Sequence, residues 1–228
     1  MFQYPHPCAV EASDDILLLI HSVANENNIQ DQSQYNHPIA LTSVADILNG
    51  LFGHSVLYIY QGAYLTIPSH SIFASRPFNL EMVVTLRGYS GKFFQMNNTF
   101  WLKSRTHGVE LSIKGQGGTS TTVVTIDTDK ENIISAYHYV QVQFDETGPG
   151  VLIWDEVVEE FTVSGGVNVV NDNSIQIGGY MDAEDHSTDW GLFYLRIMSQ
   201  MLPQHIALTP NHLCKCLQYL FNFNSWLK

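Results

Sequence analysis

The sequence predicts an all-β protein, an antiparallel sandwich of two sheets, and three observations carry that prediction. The first is Tyr137 to Phe161 (YHYVQVQFDETGPGVLIWDEVVEEF). Val140, Val142 and Phe144 alternate there with Gln141, Gln143 and Asp145, the period-two pattern of a strand with one wet face. Gly148-Pro149-Gly150 breaks it, Val151 to Trp154 returns, Asp155-Glu156 turns, and Val157 to Phe161 closes a three-stranded meander. One face of such a meander must be covered, which calls for a second sheet. The second observation is the regular recurrence of short apolar or alternating runs between turn residues. The third is the scarcity of helical periodicity before residue 208.

Taken in order, residues 1–13 carry two prolines and no periodicity, and read as an N-terminal arm. Ile16 to Ile20 is a short apolar run fit for a buried strand, and the polar stretch Asn25 to Ser33 is a loop. Pro38 to Thr42 reads as a brief strand. Thr42 to Asn49 has a capping threonine, apolar Val44, Ile47 and Leu48, and Gly50 as a stop, which predicts one to two turns of helix. Strands are then expected at His54 to Tyr60, Ala63 to Ile67, Leu80 to Arg87, Phe93 to Met96, Phe100 to Ser104, Val109 to Lys114 and Thr121 to Ile126. Asp129 to Ala136 is a polar connection into the meander. Ser174 to Ile177 and Gly191 to Met198 are the last strands, with an acidic loop, Met181 to Asp189, between them. Thr209-Pro210 is a helix start, and Leu213, Cys216, Leu217, Leu220 and Phe221 recur at helical spacing, so residues 207–228 read as a short amphipathic helical tail.

Bulk properties narrow the function. The 228 residues carry 10 basic and 22 acidic side chains, a net charge of −12, which repels phosphate backbones and argues against nucleic acid. No apolar run approaches the roughly 20 residues of a membrane span. The N-terminus lacks the basic start and apolar block of a signal peptide. Cys8, Cys214 and Cys216 are read as reduced thiols, and Cys-Lys-Cys is too tight for an ordinary zinc site. Asn97-Asn98-Thr99 fits a glycosylation sequon, read as an unused surface turn.

Several segments together resemble a laminin-G-like, concanavalin A-like jelly-roll module. Asp14 to His21 with Asp31-Gln32-Ser33 and Asn36-His37 is similar to its leucine-rich first strand, D-x-S turn and histidine loop. Phe52 to Ser55 and Gly62 to Pro68 resemble "F-G-x-S…G-x-Y-L-x-I-P", and Phe78 to Val84 its next strand. Tyr137 to Val140 stands in the place of W-H-H-V, Ile153 to Glu156 of Y-x-D-G, Ile175 to Gly178 of L-x-I-G, and Leu202 to Ile206 of the closing L-[ST]-P-x-E-I. The resemblance spans residues 14–206 and implies two antiparallel sheets with the chain ends close together. Glu156 departs from the glycine of the D-G turn, so that hairpin needs another turn type or an unfavourable φ.

Glucanases share this fold and place acids on one strand as E-x-D-x-E. Here the nearest segment, Asp155 to Glu160, has Val158 where an acid is required, which leaves a glycoside hydrolase working through Glu159 or Glu160 as the least favoured alternative. Related lectin-like modules hold calcium on rim loops, which makes Asp182, Glu184, Asp185 and Asp189, with Asn97 and Asn98, the candidate metal ligands and Ca2+ the candidate cofactor. Stacking platforms for a sugar would come from Tyr180, Trp190, Tyr89 and Trp101. The "D-x-I-L-L-L" opening is similar to modules in bacteriophage structural proteins. The expected function is therefore a non-enzymatic virion surface protein, a capsid decoration or a head or tail fibre component, assembled in the host cytoplasm. Residues 1–13 and 208–228 would bind other virion proteins, with cell-surface glycans and further copies of the chain as additional partners. A stand-alone calcium-dependent carbohydrate-binding lectin is the alternative.

Overall fold

The structure is a computed structural model; it describes residues 14–21, 29–42, 45–49, 55–59, 63–74, 77–86, 91–97, 99–105, 107–127, 137–155, 157–168, 173–178 and 190–201. Fifteen strands are found among them. They are β1 (Ile16–His21), β2 (Ala40–Thr42), β3 (Ala45–Asn49), β4 (Ser55–Ile59), β5 (Tyr64–Ile67), β6 (Phe78–Leu86), β7 (Lys92–Met96) and β8 (Phe100–Arg105), followed by β9 (Gly108–Lys114), β10 (Thr121–Asp127), β11 (Tyr137–Phe144), β12 (Pro149–Trp154), β13 (Val157–Thr162), β14 (Ile175–Gly178) and β15 (Trp190–Met198). They form two antiparallel sheets. The eight-stranded sheet runs β13-β12-β11-β6-β15-β4-β3, with β1 beside β15 as well, and the seven-stranded sheet runs β10-β9-β8-β7-β14-β5-β2.

The all-β expectation holds, and the meander is β11-β12-β13 with Val140 opposite Trp154 and Ile153 opposite Val158. The predicted strands appear with their ends moved by a residue or two. One expectation fails. Residues 45–49 form strand β3, with Ala45 opposite Ile59 and Asn49 opposite Ser55, and not a helix. Capping threonine and terminal glycine are local preferences of about 1 kcal/mol each, and the unpaired edge of β4 offers a run of backbone hydrogen bonds that outweighs them. The predicted tail helix, the N-terminal arm and all three cysteines lie outside the described residues. Among the described residues no helix is long and apolar enough to cross a membrane.

The sheets bury their facing sides against each other. At the centre, Phe78 stacks on Phe144 at 5.1 Å between centroids, and Phe100 meets Phe78, Phe94 and Phe144 at 5.4–5.5 Å. Offset and edge-to-face pairs of this kind contribute about 0.5–1.5 kcal/mol each beyond the area they bury. Near one end Trp190 packs on Phe93 at 5.9 Å. The described chain ends adjoin, since Ile16 lies opposite Met198 and Ser199 N–H donates to Asp15 O at 2.9 Å.

The D-x-S turn is held by one carboxylate. Asp31 Oδ1 accepts from Leu19 N–H (2.9 Å) and Ser33 N–H (2.8 Å), and Oδ2 from the Ser33 hydroxyl (2.7 Å) and His37 N–H (2.8 Å). His37 Nε2 lies 3.1 Å from Leu17 O, so the loop is bolted to β1 at both of its ends. The second turn of the meander is solved by its aspartate. Asp155 takes φ 55°, a left-handed conformation that aspartate tolerates, which is how the hairpin forms without the D-G glycine. Its carboxylate accepts from Tyr139 N–H (3.0 Å) and meets His138 Nδ1 at 2.9 Å.

A polar cleft at the sandwich rim as candidate functional site

At one end of the sandwich three connections from the two sheets are sewn together by main-chain hydrogen bonds. They are the β9–β10 connection, the β11–β12 turn and the segment that follows β13. Gln116 N–H donates to Gly166 O (2.9 Å), Asn168 N–H to Lys114 O (2.9 Å), Val167 N–H to Glu146 O (3.2 Å) and Val163 N–H to Gly148 O (2.9 Å). Gly115 and Val167 add a bridge between the sheets.

Glycine makes the approach possible at two positions. A Cβ on Gly148, whose φ is 111°, would stand 2.3 Å from Val163 O, and one on Gly166, φ 89°, 2.6 Å from Glu146 O. The turn between them is organised by Asp145, whose Oδ1 accepts from Thr147 Oγ1 (2.6 Å), Thr147 N–H (2.8 Å) and Gly148 N–H (3.1 Å). The Thr147 hydroxyl bond, helped by those two amides, holds the Asp145 carboxyl below its usual range and therefore ionised at neutral pH.

These loops wall a cleft of about 710 Å³, with Gln116, Asp145, Glu146, Thr147 and Asn168 supplying the polar lining and Ala74, Pro77 and Val167 the apolar part. Carboxylate, amide and hydroxyl groups over a small apolar floor can accept and donate to neutral polyhydroxyl ligands. No lining residue is basic.

The structure distributes the residues singled out from sequence differently. Trp190 is 1% exposed and belongs to the core beside Phe93, so it is corrected from a sugar platform to a packing residue. Trp101 is half-buried on β8 between inward-facing Phe100 and Leu102, hence on the outer face of the seven-stranded sheet, with Lys92 Nζ 5.4 Å above its ring. It does not line the cleft. Asn97 lies in the β7–β8 turn, where its N–H donates to Ser174 O (2.9 Å). Asn98, Tyr89, Tyr180, Asp182, Glu184, Asp185 and Asp189 lie outside the described residues. Among the described residues no three histidines, cysteines or acids converge as metal ligands.

The acids proposed for hydrolysis do not converge either. Glu159 pairs with Leu152, a core residue, and Glu160 with Val151 on the opposite face, so neighbouring carboxylates point away from each other across the edge strand. The cleft itself is missed by motif reading. Gly115-Gln116-Gly117-Gly118 and Thr147-Gly148-Pro149-Gly150 announce turns, but only the long-range pairing of two sheets brings those turns together.

The chain matches no protein-family model and no curated protein. Solved structures do resemble it. A binding domain of Botulinum neurotoxin DC in complex with SialylT superposes with a TM-score of 0.68 at 11% identity, over 86% of this chain and 50% of that one. The serotype D binding domain gives 0.69 at 12% identity, over 86% and 51%. Botulinum neurotoxin type C, described as dependent on two ganglioside molecules for cell entry, gives 0.68 at 12% identity, over 86% and 50%. The chain thus spans about half the length of these neighbours. At such identities the likeness shows the fold, a β-sandwich consistent with the jelly-roll module that the sequence resembles.

Proposed function

We propose that this chain is a non-enzymatic carbohydrate-binding β-sandwich whose rim cleft takes a neutral saccharide. The carrying observation is the cleft of about 710 Å³ lined by Gln116, Asp145, Glu146, Thr147 and Asn168 on a main-chain scaffold shared by both sheets. The neighbours described with SialylT and with gangliosides support glycan binding as a use of this fold. The sign of charge argues for a different sugar here. A sialyl carboxylate about 5 Å from Asp145 or Glu146 would be repelled by about 1–3 kcal/mol across the usual range of effective dielectric, a penalty of roughly 5- to 150-fold.

A glycan array with and without chelator tests the proposal. Binding to neutral glycans, lost on Asn168→Ala and Gln116→Ala, is the expected result, and silence on all glycans would refute it. Binding that vanishes with chelator would favour the calcium-dependent lectin, with Asp182, Glu184, Asp185, Asp189, Asn97 and Asn98 as candidate ligands, of which only Asn97 is among the described residues.

Placement on a virion is the finer part of the proposal. It rests on the resemblance of the "D-x-I-L-L-L" opening to phage structural modules. Residues 1–13 and 208–228 would be its attachment elements. Co-sedimentation of the purified chain with particles that lack it would support that placement, and its absence from the particles would reject it.

A further inference from the structure

Strands β1, β6, β11, β12 and β15 of the eight-stranded sheet are buried on both faces. The sheet's inner face meets the other sheet. Its outer face carries a second apolar cluster, Ile16, Leu19, Val83, Tyr139, Val151, Ile153, Phe193, Tyr194 and Met198, exposed by only 0–7%. Every member belongs to this one sheet, including the half-buried Tyr58 and Val158 at its margin. Side chains that stand side by side on a single pleated face shield each other's flanks but not their tips, so something must lie on top of them.

The centre of that face is polar and specific. One cross-strand row reads Val158, Ile153, Gln141, Glu81, Arg196, Leu19 over six strands. Arg196 Nε donates to Glu81 Oε2 at 2.9 Å and Nη2 to the same oxygen, and Tyr139 donates its hydroxyl to Glu81 Oε1 at 3.2 Å. Gln141 Nε2 donates to Asn79 Oδ1 at 3.1 Å. Asn79 Nδ2 and Gln141 Oε1, both fully buried, have no partner among the described residues, so the cover has one donor and one acceptor to answer.

We propose that residues 202–228 of this chain dock on that outer face as its cover. Three facts choose this occupant. The chain leaves β15 toward the face, because Met201 lines a cleft of about 440 Å³ with Val151 and Glu160, which sit on the face and its edge strand. The length suits, since six strands span about 24 Å and a helix of roughly 15 residues covers that distance. The composition suits as well, since docking would bury no further carboxylate against Glu81. Residues 202–228 hold Lys215 and Lys228 and none of the 22 acids of the chain. The stripe Leu213, Cys216, Leu217, Leu220 and Phe221 is the side that would face the sheet, with Lys215 and Asn222 turned away.

The test uses the full chain. In a Cys8→Ser, Cys214→Ser background carrying Asn222→Cys, the thiol introduced at position 222 should react with a thiol reagent at least about tenfold faster than Cys216, because only Cys216 is protected by docking. Leu217→Glu with Leu220→Glu should erase that difference and raise binding of a hydrophobic dye several-fold while the β-sheet circular dichroism persists. Should the double leucine variant fail to fold, the two thiol rates without those leucine substitutions decide alone. Equal rates for the two cysteines would overturn the proposal. So would a dimer whose dilution raises dye binding, which would make a second copy the cover. Dye binding that rises on removal of residues 1–13 and not on the tail substitutions would assign the cover to the N-terminal arm.

Discussion

Replacing Asp31 with asparagine should destabilise the protein far more than a surface loop substitution can. The carboxylate is 4% exposed and accepts four hydrogen bonds, from Leu19 N–H, Ser33 N–H, the Ser33 hydroxyl and His37 N–H. Asparagine keeps one accepting oxygen and turns the other into a donor. The Ser33 hydroxyl can rotate to accept from it, but the amide of whichever residue faces the new NH2 is left buried without an acceptor. That orphan costs about 1–3 kcal/mol, and weakening the remaining charge-assisted bonds adds about 1 kcal/mol, so a loss of about 2–4 kcal/mol is expected. For a domain of this size that is a fall in Tm of about 5–15 °C. Urea unfolding with a shared m value measures it directly, with exposed Gln32→Asn as the control in the same loop. A loss below about 0.5 kcal/mol would show that the turn is held by something other than this carboxylate.

Other perturbations read other parts of the account. Arg196→Met should cost about 3–5 kcal/mol by leaving Glu81 charged and buried, whereas Glu81→Gln with Arg196→Met together should cost clearly less; a double-mutant cycle in urea checks the non-additivity. Gly148→Ala should lower stability by about 2 kcal/mol or more, through its positive φ and the 2.3 Å approach to Val163 O, and should weaken saccharide binding by reshaping the cleft. Burial, opposed by Asp31 and helped by nearby His70, holds His37 below the ordinary histidine pKa of 6.5. The unfolded chain therefore binds the proton more readily, so this contribution to stability is present above about pH 6.5 and is lost as the pH falls below it. His37→Gln should flatten the pH dependence of the urea midpoint between about pH 7.5 and 5. Asp145 has the opposite chemistry and the same direction. Its lowered carboxyl stabilises the fold above the unfolded aspartate pKa and loses that effect as pH drops through the folded value, so Thr147→Val should blunt the acid limb.

Much of the fold is legible in the sequence because the forces that set it are local or periodic. The alternation of Val140, Val142 and Phe144 with Gln141 and Gln143 marks a strand, although both faces of β11 prove to be buried, so the glutamines serve the outer-face polar row and not solvent. The Asp31-Gln32-Ser33 turn is readable for the same reason, since aspartate beside serine caps its own loop. Residues 45–49 are misread because strand pairing with β4 is a long-range event that local capping signals do not contain. Trp190 illustrates the limit for single residues: an aromatic next to an acidic loop looks available, and only the packing against Phe93 places it inside. The cleft residues are further out of reach. Gln116 and Asn168 are ordinary turn amides until the bridge between Gly115 and Val167 draws their loops together. The Glu81–Arg196 pair is separated by more than a hundred positions, and nothing in either neighbourhood announces the other.

The most direct measurement is a backbone-amide NMR titration of the protein with a neutral glycan that it binds. Shifts concentrated at Gln116, Gly117, Glu146, Thr147 and Asn168, with saturating behaviour and an affinity at least about fivefold weaker for a sialylated analogue, are the predicted result. Shifts centred on Lys92 and Trp101, or a stronger response to the sialylated glycan, would contradict the assignment of the rim cleft as a site for neutral sugar.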